Sequence, residues 1–393
     1  MLKQLHEFFV NKKVLLLGFG LEGQSTLRML KKLNCCKSIT VWEKYQHTDD
    51  LPPSNECDII VKSPGIPLFK SYNDVDLRIT GQADLFLRFC ENTPVVGITG
   101  TKGKSTTASL LHHILTECNI PSKLIGNIGV PPLDVAHELT GEESDDVIVM
   151  ELSCHQLEYV KASPKIAILL NIYEEHLDHY IDFAHYRAAK ENIYRFQQDG
   201  DILIRGEDVD CSEIDFSQAK LRGKHNLHNI AVAIKAAELF GAKKNEAIKA
   251  GCGFGGLEHR LELFCEIDGV LWVNDSISTV PEAAIAAAEA FPEMDTLIIG
   301  GMDRGVDYSS LTAFLQTSQN AHINVIALPD SGHKLVQNLP RAYKAKDLND
   351  GVNYAKRITR RCCVLSPAAA SYGFYKNFEE RGKHFKELVV GSV

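Results

Sequence analysis

The chain opens on a short amphipathic stretch and then on Val14-Leu15-Leu16-Leu17, an unbroken apolar run of the kind a strand shows when both its faces are covered. Gly18-Phe19-Gly20-Leu21-Glu22-Gly23 interrupts it, and a helical spacing of apolar positions follows from Ser25 to Leu33. Strand, glycine turn and helix in that order predict parallel α/β structure. Further strands are expected at Ser38–Trp42, which ends in Glu43, and at Asp58–Val61, which runs into Lys62-Ser63-Pro64-Gly65-Ile66-Pro67. Glu91-Asn92-Thr93-Pro94 punctuates the chain before another apolar run at Val95–Thr99, placing a domain boundary near residue 93. Val147–Met150 and Ile166–Leu170 read as strands that lead straight into polar residues, and ligands of open α/β sheets gather at such strand ends. A helical region from Asn226 to Phe240 leads through the glycine-rich Gly251–Gly256, and strand-like segments resume at Leu271–Val273, Thr296–Ile299 and Val325–Ala327. The expectation is an α/β protein of three domains: a Rossmann-like domain over 1–92, a central P-loop ATPase domain over 93–257, and a third α/β domain over 258–393.

Composition narrows the function classes. Across 393 residues, 45% apolar and 24% charged positions set aside disorder and fibrous architectures. A net charge of −9 argues against a nucleic-acid polymer or membrane partner, while leaving small phosphorylated ligands open. The 11 cysteines form no Cys-x-x-Cys pair and read as free thiols. Met1–Val10 carries Lys3, His6 and Glu7 and does not read as a signal peptide, and no apolar run is long enough to span a bilayer, so a cytoplasmic location is expected.

The segment from Gly97 to Thr107 carries the strongest chemistry. A strand runs into Gly100-Thr101-Lys102-Gly103-Lys104-Ser105-Thr106 and then into the helical stretch Ala108–Cys118. Such a loop turns backbone N–H groups and a helix N-terminus toward a polyphosphate. Lys104 would bridge the terminal phosphates of ATP, and the hydroxyl of Ser105 or Thr106 would hold Mg²⁺. The spacing departs from the strict Walker pattern, since Ile98 stands five residues before Gly103 and the loop glycine is Gly100. Gly18-x-Gly20-x-x-Gly23 offers a competing reading, a dinucleotide site in which Glu43 holds a ribose, as in an NAD-dependent dehydrogenase. That reading leaves the 97–107 loop unexplained.

The departure is informative, because Gly-Thr-x-Gly-Lys-Ser/Thr-Thr resembles the loop of the Mur ligase family and of the folylpolyglutamate synthetases. Later motifs follow the Mur ligase order: Gly126-Asn127-Ile128-Gly129, Glu151-Leu152-Ser153-Cys154-His155-Gln156-Leu157, Asn171–Asp178, Tyr186-Arg187-Ala188-Ala189-Lys190, Gly223–Asn229, His259-Arg260, Asn274-Asp275-Ser276, Gly300–Gly305, Leu365–Ser371 and Lys376–Gly382. The resemblance covers almost the whole chain and is greatest to the glutamate-adding members of the family. It implies an ATP-dependent, ADP-forming ligase of peptidoglycan precursor synthesis, acting through an acyl phosphate on a UDP-linked muramoyl precursor and an acidic amino acid.

The resemblance also assigns roles. Glu151, a hard oxygen donor at a strand end, would hold Mg²⁺ with Ser105 or Thr106. His176 and Lys190 match positions that hold a second metal, Lys190 being carbamylated there, so that Lys104, Glu151, His176 and Lys190 form the catalytic set. Asn226 and Asn229 would read the adenine edge. Arg260 and Asp275 would reach ATP from the C-terminal domain, a domain closure completing the site. Leu21, Glu43 and Gly65, with Asn127 and Ser153, match UDP-precursor contacts, while Thr279, Arg304, Ser371 and Phe378 match amino-acid contacts. One departure stands out: the usual Asp-Ser-Lys-Ala-Thr-Asn run reads Asp275-Ser276-Ile277-Ser278-Thr279-Val280, a cationic lysine giving way to isoleucine. D-glutamate is the first expectation, and L-glutamate or another amino acid stays open. A folylpolyglutamate-type ligase and a non-catalytic nucleotide-binding relative are the remaining alternatives.

Overall fold

The computed structural model describes residues 1–43, 56–67, 78–90, 93–136, 146–176, 179–339 and 342–391. Glu91 and Asn92 of the expected boundary, and Leu177 and Asp178 of the Asn171–Asp178 motif, lie outside them. Three sheets order the described residues. The first contains β1 (Lys13–Leu17), β2 (Ser38–Trp42), β3 (Ile59–Lys62) and β4 (Ile79–Thr80), in the order β2-β1-β3-β4 and parallel throughout. The second contains β5 (Val95–Thr99), β6 (Ser122–Gly126), β7 (Val147–Glu151), β8 (Ile166–Leu169) and β9 (Ile202–Arg205), in the order β6-β7-β5-β8-β9 and again parallel.

The third sheet runs β10-β11-β15-β12-β13-β14, from β10 (Glu262–Ile267), β11 (Val270–Asn274), β12 (Thr296–Gly301), β13 (Asn324–Asp330), β14 (Tyr343–Lys344) and β15 (Cys362–Leu365). Among the described residues, only its β10–β11 hairpin pairs antiparallel. The chain divides into two compact units, Met1–Ala219 with His225–Gly253, and Lys220–Lys224 with Phe254–Val393. The first two sheets lie in the first unit and the third in the second.

The apolar runs become strands because each is covered on both faces. Leu15, Leu16 and Leu17 are 2% exposed or less, and Val95–Thr99 is buried along its length. Each such aliphatic side chain withdrawn from water contributes about 1.5–3 kcal/mol. In the third sheet one apolar cluster gathers around Val273, Leu297 and Ile299, and another around Trp272, Ile298 and Phe385, one on each face of the alternating strands. All 11 cysteines are free thiols.

Two glycine-rich stretches differ from their sequence reading. The helix after β1 begins at Leu21, not Ser25, because Gly23 packs its first turn onto the strand end: a Cβ there would stand 2.3 Å from the Gly18 carbonyl oxygen. Gly251, Cys252 and Gly253 are the last residues of a helix, Lys244–Gly253, and not a connecting loop. A Cβ at Gly251 would stand 3.0 Å from Ile230 and 3.3 Å from Ile114, so the glycine lets this helix lie close against two others. Among the described residues no helix is long and apolar enough to cross a membrane.

Candidate active site

β5 ends at Thr99, and the loop Gly100–Gly103 turns it into the helix Lys104–Glu117. Gly103 takes φ +88, and a Cβ on it would stand 2.8 Å from Asn229 Oδ1, so only glycine fits this corner. The loop is fixed from behind. Thr101 Oγ1 pairs with the Tyr186 hydroxyl at 2.8 Å and accepts from the Tyr173 N–H at 2.9 Å. The Lys102 N–H donates to Asn171 Oδ1 at 2.9 Å, and Asn171 Nδ2 donates back to the Lys102 carbonyl at 3.0 Å. Lys104 Nζ folds over the loop and donates to the carbonyls of Gly100 and Thr101, both at 3.0 Å. Burial lowers its pKa, with Glu151 the largest opposing charge.

Of the other expected catalytic groups, Lys190 touches this loop, Glu151 ends the strand beside β5, and His176 lies beyond β8. Glu151, the last residue of β7, is fully buried; its Oε1 accepts from Asn127 Nδ2 at 2.9 Å and its Oε2 has no hydrogen-bond partner. A buried carboxylate oxygen without a donor is costly unless a cation completes it, and the Thr107 hydroxyl is likewise buried and unpartnered. The donor set therefore fits Mg²⁺. Lys190, on the helix Phe183–Arg195, is 1% exposed, and its Nζ donates to the Gly100 carbonyl at 2.8 Å and lies 4.9 Å from the centre of the Tyr186 ring. Burial brings its pKa down to about 8. His176 holds φ +59, with its ring 5.1 Å from that of His155. Ser105 is half-buried and Thr106 buried at the start of the helix. Asn226 and Asn229 are buried one turn apart on the helix Lys224–Glu238, with Asn229 against the phosphate loop as described.

Of the residues expected to meet the UDP precursor, three fall at the C-terminal ends of first-sheet strands, while Asn127 and Ser153 follow β6 and β7 of the second. Leu21 follows β1 and is 78% exposed, Glu43 follows β2, and Gly65 follows β3, all three open to solvent. Ser153, the N-cap of the helix Cys154–Leu157, forms a reciprocal capping box with Gln156. Gln156 Nε2 also donates to Glu22 Oε1 at 2.6 Å, so this short helix is tied to the helix that follows β1. Sequence reasoning passed over the strongest link here: Lys62 and Glu158 form an enclosed ion pair at 3.0 Å, their side chains 2% and 1% exposed, with His179 Nε2 2.5 Å from the second carboxylate oxygen. Burial works against ionised Glu158, but the His179 contact and the Lys62 charge outweigh it and hold its pKa below the usual range.

In the second unit, Arg260 is exposed between two left-handed residues, His259 at φ +65 and Leu261 at φ +45. Asp275 is 4% exposed; it accepts from the Ser366 hydroxyl at 2.7 Å and the Leu261 N–H at 3.1 Å, and burial raises its pKa to about 7. Thr279 and Arg304 are exposed, Phe378 is half-buried and Ser371 buried, on segments that follow β11, β12 and β15. Ile277 is half-buried. Glu258, His259 and Glu262 present ligand atoms within 4.8 Å of one another. Lys386 Nζ, however, bridges the two carboxylates at 2.8 Å each, and His259 Nδ1 lies 2.8 Å from Asn274 Nδ2. An ammonium thus already serves these carboxylates.

A phosphate loop on a parallel sheet, with a buried carboxylate and a buried lysine beside it, fits the class of ATP-dependent ligases. Residues 98–215 match the model of the Mur ligase middle domain. The chain is 31% identical to a UDP-N-acetylmuramoylalanine--D-glutamate ligase of Alkaliphilus metalliredigens, covering 96% of this chain and 98% of the relative. It is 34% identical to the ligase of the same name from Desulfovibrio desulfuricans, covering 84% of this chain and 80% of the relative. The crystal structure of UDP-N-acetylmuramate-alanine ligase MurC from Thermotoga maritima shares the fold at a TM-score of 0.58, covering 96% of this chain and 98% of that one, at 16% identity. The chain belongs to the Mur ligase family.

Proposed function

We propose that this protein joins D-glutamate to UDP-N-acetylmuramoyl-L-alanine with ATP and Mg²⁺, a step of peptidoglycan precursor synthesis. What carries this reading is near end-to-end similarity to ligases of that name, 31% identical over 96% of this chain and 98% of the relative. The buried residues beside the phosphate loop support it independently.

ATP supplies the activation that makes a carboxylate carbon open to an amine, through an acyl phosphate. The chain's own groups then position and neutralise. The N–H groups of Gly100–Ser105 and the N-terminus of the helix Lys104–Glu117 would receive the phosphates. Lys104 would exchange its two loop carbonyls for phosphate oxygens. Glu151 would hold Mg²⁺ with Ser105 or Thr106. His176 and a carbamylated Lys190 would hold a second ion, the carbamate turning a repelling ammonium into an anionic ligand. Asn226 and Asn229 would take adenine. Leu21, Glu43, Gly65, Asn127 and Ser153 would take the UDP precursor. In the second unit, Arg260 and Asp275 would serve ATP, and Thr279, Arg304, Ser371 and Phe378 the amino acid. The three-domain division at 1–92, 93–257 and 258–393 belongs to the same proposal, one sheet falling in each range.

A second acceptor is favoured by one observation: Ile277 offers no charge where the family motif has lysine. The test is phosphate release with Mg²⁺ and UDP-N-acetylmuramoyl-L-alanine, comparing D-glutamate, L-glutamate and other amino acids, with product mass measured. Release driven by D-glutamate alone is expected. Release driven by L-glutamate or another amino acid overturns the substrate and keeps the reaction class, and no amino-acid-dependent release overturns the ligase reading.

A further inference from the structure

Arg381 is the largest side chain among the fully enclosed described residues, 1% exposed. It stands in the first turn of the helix Phe378–Val390, and its guanidinium reaches among the ends of three adjacent strands. Nη2 donates to the main-chain carbonyls of Ser276 at 2.8 Å and Ala369 at 3.0 Å, and Nε donates to Ser276 Oγ at 3.1 Å. Ser276 Oγ in turn donates to the carbonyl of Phe378 at 2.8 Å. Nη1, which has no hydrogen-bond partner, lies 3.0 Å from where a Cβ on Gly301 would stand.

These neighbours, two of them hydrogen-bonded to Arg381 and Gly301 packed beside it, come from different places in the chain and from neighbouring strands. Ser276 follows β11, Ala369 follows β15 and Gly301 ends β12, and the three strands lie side by side in the order β11-β15-β12. Backbone bonds knit two of the segments further, Gly300 N–H to the Pro367 carbonyl at 2.8 Å and Met302 N–H to the Ala370 carbonyl at 2.9 Å. Each tied segment leads, within three residues, to a residue proposed above for the amino acid: Ser276 to Thr279, Gly301 to Arg304, Ala369 to Ser371, and the carbonyl of Phe378 to Phe378 itself.

We propose that Arg381 is the positioning residue of the amino-acid site, one guanidinium setting the spacing of the four segments that carry Thr279, Arg304, Ser371 and Phe378. This rests on the amino-acid role given to those four residues under the proposed function. The planar fork is what the task requires, since its donors reach two carbonyls and a hydroxyl in fixed directions, which a single ammonium does not. The demand is sharpened at Ile277, where the neighbouring loop residue brings no cation and substrate geometry depends on where the segments stand. Misplacing a binding group by about 1 Å costs on the order of 10²-fold in rate.

The experiment uses the full chain and the variants Arg381→Met, Arg381→Lys and Ser276→Ala, read by backbone hydrogen exchange and by separate KM values for glutamate and ATP. In Arg381→Met, exchange is expected to rise together in 276–280, 301–304 and 369–371, and to stay unchanged in 100–107. The glutamate KM is expected to rise by about tenfold or more while the ATP KM moves by less than about twofold, and Arg381→Lys is expected to recover part of the loss. Ser276→Ala removes two of the hydrogen bonds gently, gives a smaller effect of the same pattern, and decides the matter if Arg381→Met does not fold. Unchanged exchange in those segments overturns the proposal, and so does a glutamate KM that moves only in step with the ATP KM. If the wild-type chain shows no glutamate-dependent turnover, it is the ligase reading that fails, and the exchange pattern still decides whether Arg381 holds the segments together.

Discussion

Lys190 Nζ lies 2.8 Å from the carbonyl oxygen of Gly100, so the buried amine of a helix in the second sheet's layer touches the backbone of the phosphate loop. Carbon dioxide adds only to a neutral amine, and burial favours that form. Enzyme stripped of carbon dioxide is therefore expected to lose most of its ligase activity and to regain it on addition of bicarbonate, with a mass increase that localises to the peptide containing Lys190. Full activity without bicarbonate would remove the carbamate from the mechanism.

Glu151 presents one oxygen to Asn127 at 2.9 Å and one to no donor. Replacing it by glutamine removes a buried charge and keeps the shape. Glu151→Gln is expected to melt no lower than wild type without metal, to lose the stabilisation that Mg²⁺ gives wild type, and to ligate on the order of 10²–10³-fold more slowly. Thermal melts across a Mg²⁺ series check this. Equal stabilisation of both proteins would exclude the carboxylate as a ligand.

Arg304 is the exposed cation on the segment that follows β12, with Ile277 bringing none from the segment that follows β11. Arg304→Ala is expected to raise the glutamate KM by about 10²-fold and to leave the ATP KM within about twofold. Equal changes in both constants would sink the assignment.

The continuous apolar runs made the central strands readable, because strands buried on both faces in a parallel sheet read as short unbroken apolar stretches, and flanking glycine and polar turns separate them from an equally unbroken helical run such as Ile230–Ile234. β10 escaped because its Glu262-Leu263-Phe264-Cys265-Glu266-Ile267 pattern belongs to a hairpin half open to solvent, and β14 because two residues carry no period. The helix Lys244–Gly253 was hidden by glycines whose purpose is close packing against Ile230 and Ile114, a tertiary demand invisible in local pattern. The strand-end position of Glu151 was legible from the apolar run before it, and the strand–loop–helix order around Gly100–Gly103 from its glycines. The Arg381 contacts were not, since Ser276 stands 105 residues away and Ala369 12, and no spacing rule links a helix start to two strand ends. The Lys62–Glu158 pair, 96 residues apart, was unreadable for the same reason.

Glu22 carries a pH dependence with a definite sign. Burial raises its pKa to about 7, the hydrogen bond from Gln156 and the Lys62 charge opposing. A carboxyl that is harder to ionise when folded favours the fold while protonated, so its contribution is present below the ordinary carboxylate range and lost as pH rises through about 7. Glu22→Gln is expected to match wild type at pH 5 and to exceed it at pH 8 by about 1–3 kcal/mol, the lower part of that range allowing for solvent at its partly open end. Urea unfolding at the two pH values measures the difference, and a gap that does not change with pH would rule Glu22 out as its source.

Gly382, next to Arg381, packs against His259 and Asn274, the residues that precede Arg260 and Asp275. A Cβ there would stand 2.2 Å from His259 Nδ1 and 2.9 Å from Asn274 Nδ2, in a pocket where His259 and Asn274 already pair at 2.8 Å. His259 is buried at φ +65 and precedes Arg260, and Asn274 precedes Asp275, so any shift of this pair is passed directly to both residues proposed for ATP. The surroundings have little room to yield: Asn274 Nδ2 also donates to Glu262 Oε2 at 3.0 Å, and Lys386 pins Glu262 Oε1 at 2.8 Å. Gly382→Ala is therefore expected to lose about 1–3 kcal/mol of stability by overpacking and to raise the ATP KM more than the glutamate KM, the reverse of the Arg381 pattern. A Gly382→Ala protein with wild-type stability and an unchanged ATP KM would show that the His259–Asn274 pair does not set the position of Arg260 and Asp275.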